Sequence, residues 1–354
     1  MESYIPMSDK TALIGHDMAS LEALVERLEE PKFRAKQLHS WLYVHNERDF
    51  EKMTNLAKSL REKLAEKYTI GLLEVSEKQV SQDGTIKYLF RLPDGQQVES
   101  VLMYFEEREV HAVCLSTQVG CAVNCDFCAT GKLGFKRHLS AAEIVDQFSF
   151  IRHDTDANIR NIVLMGQGEP LLNYKNTLSA IRILNQSAEV GIRHITLSTS
   201  GIVADIDRLA DEKLQLTLAV SLHAPDNETR NRIMPINKRY PLEVLIPCLH
   251  RYVEKTGRRV TIEYILLSEI NDTPEHAHKL KSLLKGLHCN INLIPYNPIG
   301  EQYGYVRPSR ERITAFQNAL MTAPQKVTVR IERGTDIAAA CGQLQNLVGL
   351  EENG

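Results

Sequence analysis

Cys121-Ala122-Val123-Asn124-Cys125-Asp126-Phe127-Cys128 is the stretch on which the reading of this chain turns. Its spacing, C-x3-C-x2-C, lets one short loop wrap three thiolates around a single inorganic centre. The chain has seven cysteines, the others being Cys114, Cys248, Cys289 and Cys341. Seven is odd, and Met1-Glu2-Ser3-Tyr4 lacks the basic and apolar regions of a secretory signal. Reduced thiols with metal or catalytic roles are therefore expected rather than a disulfide framework. Zinc takes four tetrahedral ligands, and no CxxC or HxxxH pair elsewhere completes such a set, although Cys114 or His138 would fill the gap. An iron-sulfur cluster is usually held by four thiolates as well, so three from one loop leave one iron open to bind something else.

Downstream of this loop, β-branched runs alternate with amphipathic segments in a rhythm of βα units, so a parallel sheet is expected. The strands fall at 111–117, 161–166, 194–199, 215–222, 259–267, 289–295 and 326–331. Helices are expected over 141–153, opened by a Ser140 and Glu143 capping box, and over 309–322. Six or so such units predict an α/β fold of the open partial-barrel type, with ligands at the carboxyl ends of the strands. Those ends read Gly166-Gln167-Gly168-Glu169-Pro170, Ser198-Thr199-Ser200-Gly201, Ser221-Leu222-His223-Ala224-Pro225 and Tyr296-Asn297-Pro298. Each alone is an ordinary tight turn; at the same end of one sheet they converge on one mouth, where Glu169 offers a carboxylate to an ammonium group. Cys341 stands among small residues, Ala338-Ala339-Ala340-Cys341-Gly342, where a thiol can be presented to a cofactor. Cys248 and Cys289 have apolar contexts and read as core. Cys114, on the first barrel strand, fits either role.

Upstream, residues 17–68 read as three helices, with Leu21, Leu24, Val25 and Leu28 at helical spacing and Pro31 between the first two. Residues 72–105 alternate polar and apolar around the turns Asp83-Gly84 and Asp94-Gly95, so antiparallel strands are expected. The expected division is a helical module over 1–70, a β extension over 71–110 and the barrel over 111–354. With 354 residues, 43 % hydrophobic and 25 % charged, the chain is globular in composition, and no apolar run approaches the ~18 residues of a membrane helix. A cytoplasmic location is expected. The net charge of −3 gives no global signature of polyanion binding. Local basic clusters occur at Lys32, Arg34 and Lys36, at Lys132, Lys136, Arg137 and His138, and at Arg230, Arg232, Lys238 and Arg239; each alone reads as a solvated face.

The cluster loop with its aromatic Phe127 resembles the signature of the radical S-adenosylmethionine (SAM) superfamily. Taken with GxGEP, STSG, SLHAP, YNP and the terminal AACGQL in that order, the chain resembles the RlmN/Cfr family of radical SAM RNA methyltransferases. The resemblance spans nearly the whole chain, including Lys32-Phe33-Arg34-Ala35-Lys36-Gln37 and Trp41, which look like the family's accessory RNA-binding module. It implies a 4Fe-4S cluster on Cys121, Cys125 and Cys128, and SAM contacts from Gly168, Glu169, Ser198, Ser221, Leu222, His223 and Asn297. It also implies that Cys341 carries the methyl group, Cys114 forms a transient disulfide with it, and Glu99 is the general base. Judged without the family, Glu99 reads as an exposed strand residue. Two SAM would be consumed per methylation of adenosine carbon 2 in 23S rRNA, at the peptidyl-transferase region, and of the adenosine 3' of the anticodon in tRNAs. A flavodoxin or ferredoxin would donate electrons. An aromatic C–H carbon of adenine is not nucleophilic, which is why a radical route is needed. Gln167 and Ala338 depart from the residues usual in the family. The competing readings are methylation at carbon 8, as in the Cfr branch, and a zinc-stapled RNA-binding protein without catalysis.

Overall fold

A ten-stranded sheet frames the molecule, and the computed structural model describes residues 10–105, 109–321 and 325–345 of it. Residues 1–4 and 322, on which expectations fell, lie outside these. At the amino-terminal side β1 (Thr11–Ala12), α1 (Met18–Arg27), α2 (Phe33–His39), α3 (Lys58–Lys67) and β2 (Tyr68–Thr69) form the helical module, closed by the parallel pairing of β1 with β2. Asp17 caps α1 by accepting the Ser20 N–H at 2.8 Å, and the face marked by the spacing, Leu21, Leu24 and Val25, is buried.

Next come β3 (Glu74–Val80), β4 (Ile86–Arg91), β5 (Gln97–Phe105) and β6 (Val110–Cys114), an antiparallel meander. The cluster loop is flanked by a short hairpin, β7 (Gln118–Gly120) and β8 (Phe135–His138), with α4 (Ala129–Lys132) between them. The barrel continues through α5 (Ala141–Thr155), β9 (Ile159–Leu164), α6 (Tyr174–Gln186), β10 (Ile195–Thr199), α7 (Val203–Asp211) and β11 (Thr217–Ser221). It ends with α8 (Asn227–Ile233), α9 (Leu242–Thr256), β12 (Val260–Leu266), α10 (Pro274–Leu283), β13 (Cys289–Pro295), α11 (Arg310–Met321) and β14 (Lys326–Val329). The Ser140 and Glu143 capping box opens α5 as its sequence requires.

The strand order is β14-β13-β12-β11-β10-β9-β6-β5-β4-β3, parallel from β14 to β6 and antiparallel beyond it. β6 thus belongs to both parts: it pairs with β9 on one side and β5 on the other, so the extension and the barrel share one sheet. Ile162, Leu164, Leu197, Leu218, Val220, Ile262, Tyr264, Ile291 and Leu293 fill its interior, each worth about 1.5–3 kcal/mol on burial. Cys248 and Cys289 are buried there too, as their contexts predict. β6 stops at Cys114, short of the expected residue 117, because the chain turns to meet the β9 end: Thr117 N–H donates to Gln167 O at 2.8 Å, and Gln167 N–H to Ser116 Oγ at 2.9 Å. All parallel strands therefore deliver their carboxyl ends to one mouth.

Candidate active site

The cluster loop is shaped by its backbone. Asn124 takes a left-handed φ of 57°, Asp126 N–H donates to Ile233 O at 2.9 Å, and Cys128 N–H to Cys125 O at 3.2 Å. A Cβ on Gly131 would come within 2.7 Å of Cys125 O, so only glycine lets α4 pack under the loop. Burial, then the neighbouring thiols Cys128 and Cys121, push Cys125 far above the ordinary thiol range; burial likewise lifts Cys121 to about 12. Alone, these thiols stay protonated. A cationic iron core reverses that balance and turns them into thiolate ligands, so the donor set fits an iron-sulfur cluster. A mononuclear site needs ligands ~2.0–2.3 Å from one point, and among the described residues no three Cys, His, Asp or Glu side chains are so grouped. The two residues that would complete a zinc set are engaged elsewhere: His138 Nδ1 lies 3.0 Å from Gln118 Nε2, and Cys114 faces another cavity.

Beside the loop lies a pocket of about 160 Å³ lined by the three cysteines, Gly168, Glu169, Ser198, Ser221 and His223. Gly168 has a φ of 101°, and a Cβ there would sit 2.5 Å from the Gln118 side chain, which brings the backbone itself to the pocket wall. The Glu169 carboxylate is aimed by two amides, accepting from Leu171 N at 3.0 Å and Ser200 N at 2.7 Å, while burial raises its pKa. His223 accepts the Ile265 N–H on Nδ1 at 3.0 Å, and burial followed by the charge of Arg230 lowers its pKa to about 3. The Phe127 ring stands edge-on to it, centroids 5.0 Å apart, giving the aromatic of the cluster loop a packing role. Leu222 is buried and its side chain lines neither cavity; its carbonyl accepts Arg230 Nε at 3.0 Å.

Arg230 corrects the sequence reading. By its sequence it belongs to a basic cluster on a solvated face, yet it is wholly buried and donates to Ser200 O at 2.7 Å, Ser221 O at 3.2 Å and Asn237 Oδ1 at 2.8 Å. It ties together the ends of β10 and β11. Burial lowers its pKa to about 10.

A second cavity, of about 500 Å³, is lined by Cys114, Cys341, Asn297 and Arg330, and shares Cys128, Met165, Arg330 and Cys341 with the first. Cys341 therefore stands where the two meet. Its loop is fastened on three sides: Ala129 N–H donates to Gly342 O at 2.8 Å, Asn297 Nδ2 to Cys341 O at 3.2 Å, and Thr130 Oγ1 to Leu344 O at 2.7 Å. Cys114 is lifted to about 12 by burial, with Cys341 adding to the shift. Arg330 and Glu263 escaped the sequence reading. Arg330 Nη1 lies 3.5 Å from Cys341 Sγ and 4.0 Å from Glu263 Oε2. Glu263, on β12, is buried at the pocket beside the three cysteines, with its pKa raised by burial. An isolated Glu in a strand and an Arg past a strand end carry no local signal.

Glu99 is a second correction. It is fully buried rather than exposed, ion-paired to Lys87 at 3.2 Å and accepting Gln345 N–H at 2.7 Å. Strand alternation puts it on the same face of β5 as Val101, the register partner of Cys114. Gln167 and Ala338, the two departures from the family pattern, line neither cavity.

A parallel partial barrel that gathers three thiols of one loop at its strand ends, beside a Gly-Glu-Pro turn, defines a radical SAM enzyme. Residues 115–280 match the model of the radical SAM superfamily, and residues 11–70 that of the ribosomal RNA large subunit methyltransferase N-terminal domain. The chain is 49 % identical over 329 residues to a probable dual-specificity RNA methyltransferase RlmN of Geobacillus kaustophilus, covering 92 % of this chain and 89 % of that one. The corresponding protein of Nostoc punctiforme is 45 % identical over 353 residues, covering 98 % and 96 %. The crystal structure of a radical SAM methyltransferase from Sphaerobacter thermophilus superposes with a TM-score of 0.90 at 44 % identity, covering 95 % of this chain and all of that one. The chain belongs to the RlmN family of radical SAM RNA methyltransferases. That family implies a 4Fe-4S cluster and SAM as its working cofactors. No helix among the described residues is long and apolar enough to cross a membrane.

Proposed function

We propose that this enzyme methylates carbon 2 of adenosine in 23S rRNA and of the adenosine 3' of the anticodon in tRNAs, through a methyl group carried on Cys341. The observation that carries this reading is the shared cavity: two cysteines 227 positions apart face one space that opens onto the three-thiol pocket. Cys121, Cys125 and Cys128 would hold the cluster, and Gly168, Glu169, Ser198, Ser221 and His223 would seat SAM, with Leu222 and Asn297 shaping the surroundings. When bound, the cluster supplies the electron that cleaves SAM to a 5'-deoxyadenosyl radical.

Cys341 takes a methyl group from a first SAM by displacement, losing its thiol proton and releasing S-adenosylhomocysteine. It then gives up one hydrogen atom of that methyl to the radical from a second SAM, and the carbon left on its sulfur bonds to the ring. Glu99 takes the ring proton, which requires the Gln345 amide to leave its carboxylate. The adduct gives up one electron to the electron-transfer partner along with that proton; Cys114, as thiolate, then attacks the Cys341 sulfur and closes a disulfide as the sulfur–carbon bond breaks, and the freed methylene carbon takes up a proton to become the methyl group. A flavodoxin or ferredoxin would supply the electron for SAM cleavage and the two electrons that, with two protons, reopen the disulfide. The helical module would grip RNA through exposed Lys32 and Lys36 and the 54 % exposed Phe33.

The test is Cys114→Ala. It is expected to complete both SAM-dependent steps and stall with RNA linked to Cys341, seen as a nuclease-sensitive, slower band on denaturing gels. Absence of that species from folded protein returns Cys114 to the core. Mass spectrometry of nucleosides from RNA treated with the reconstituted enzyme separates 2-methyl- from 8-methyladenosine.

A further inference from the structure

The outer part of the larger cavity carries residues that the reaction above does not use. On β5, Glu99, Val101, Met103 and Phe105 follow one another on one face, and the last three line the cavity wall. Val101 is level with Cys114, whereas Phe105 pairs with Val110 at the amino end of β6, four residues along and about 13 Å away at the rise of a strand, at the lip of the cavity remote from the strand-end mouth. At that lip the Arg333 guanidinium lies over the Phe105 ring, 4.9 Å from its centroid, and Ile331 beside them is 82 % exposed. Both Ile331 and Arg333 also line the cavity.

We propose that Phe105 and Arg333 form a stacking platform for an unstacked nucleobase flanking the adenosine that undergoes chemistry. This rests on the RNA-methylating reading of the same cavity and names the subsite that holds the next part of the substrate. Neighbouring bases in a stacked strand lie ~3.4 Å apart, so a platform about 13 Å from the level of Cys114 meets a different nucleotide from the one at Cys341. A flat ring capped by a guanidinium offers what single-stranded recognition uses: a π face for stacking and a delocalised cation for base and phosphate. An exposed isoleucine at the same lip supplies apolar contact with no folding role of its own. Cys341 and this lip line one cavity, so RNA that follows its wall from the target base reaches the platform.

The test compares the reconstituted wild type with Phe105→Ala, Arg333→Gln and Phe105→Trp. The probe is a short RNA hairpin whose single-stranded loop carries the adenosine with unpaired nucleotides on both sides, its binding followed by fluorescence anisotropy. Phe105→Ala and Arg333→Gln are each expected to weaken binding and raise the KM for RNA roughly tenfold, while Phe105→Trp retains wild-type values because it keeps the stacking face. Methylation of Cys341 without RNA, read by intact mass, serves as the folding control. Unchanged binding in both truncating variants overturns the proposal, as does a loss of binding accompanied by loss of Cys341 methylation, which would show a damaged cavity. If the wild type bound RNA and the variants did not, yet no methyladenosine formed, the platform would stand and the proposed reaction would fall.

Discussion

Arg330 is the charged group that touches the sulfur of Cys341, and a guanidinium can only donate hydrogen bonds. In the proposed reaction this sulfur attacks a methylsulfonium, and the Arg330 hydrogen bond holds it in place for that attack. Losing a hydrogen bond to a charged group costs about 1.5–3 kcal/mol, so Arg330→Met is expected to slow RNA-independent methylation of Cys341 roughly tenfold or more. Time-resolved intact mass checks it, and a wild-type rate would reduce the contact to packing. His223 gives a pH prediction. Buried and accepting an amide on Nδ1, it is held neutral with a pKa near about 3, against ~6.5 in the unfolded chain. Between those values the unfolded state binds the extra proton, so this contribution is complete above pH ~6.5 and is lost progressively as pH falls toward 3. The urea midpoint of the apoprotein should therefore drop more steeply from pH 7 to 5 in the wild type than in His223→Asn; parallel curves would contradict the assignment.

At the scale of elements, the loop bearing Cys341 is latched to the β3–β4 turn. Asp336 accepts from Ser81 Oγ at 2.6 Å and Gln82 N at 3.1 Å, and Asp83 accepts the Gly334 N–H at 3.0 Å. The same loop covers Glu99 through Gln345, a bond that must open in the proposed reaction before that carboxylate reaches a base. Asp336→Ala is expected to raise hydrogen exchange over 336–345 several-fold and to change RNA turnover without changing SAM binding. Unaltered exchange would show that the latch holds nothing. Strand positions here were legible because alternation and β-branched runs are local signals. The strand ends were less so, since Thr117 and Gln167 end β6 by bonding across to a neighbouring turn.

Across the whole molecule, the helical module is clasped to α5 by hydrogen bonds from Asn46 to Ser149 and from Arg152 to Tyr43, and by one buried carboxylate. Asp146 on α5 is fully buried and accepts from Arg48 at 2.6 Å, Leu72 N at 2.6 Å and Leu73 N at 2.9 Å. Removing it leaves a guanidinium and two amides without their partner, so Asp146→Ala is expected to cost about 3–5 kcal/mol. Urea denaturation checks this; an unchanged midpoint would mean that the clasp is incidental. The sequence by itself determined what is encoded within a few residues of itself: three thiols within eight positions, the βα rhythm, and the glycine and polar turns that close its strands. Tertiary structure alone decided the rest. It buried Arg230 among the carbonyls of Ser200, Ser221 and Leu222, set Lys87 against Glu99, and brought Arg330 to Cys341 and Glu263 to Arg330. A charged side chain is exposed by default, and its burial is favourable only where partners from distant strands converge, an arrangement that exists after the sheet has formed and has no trace in local spacing.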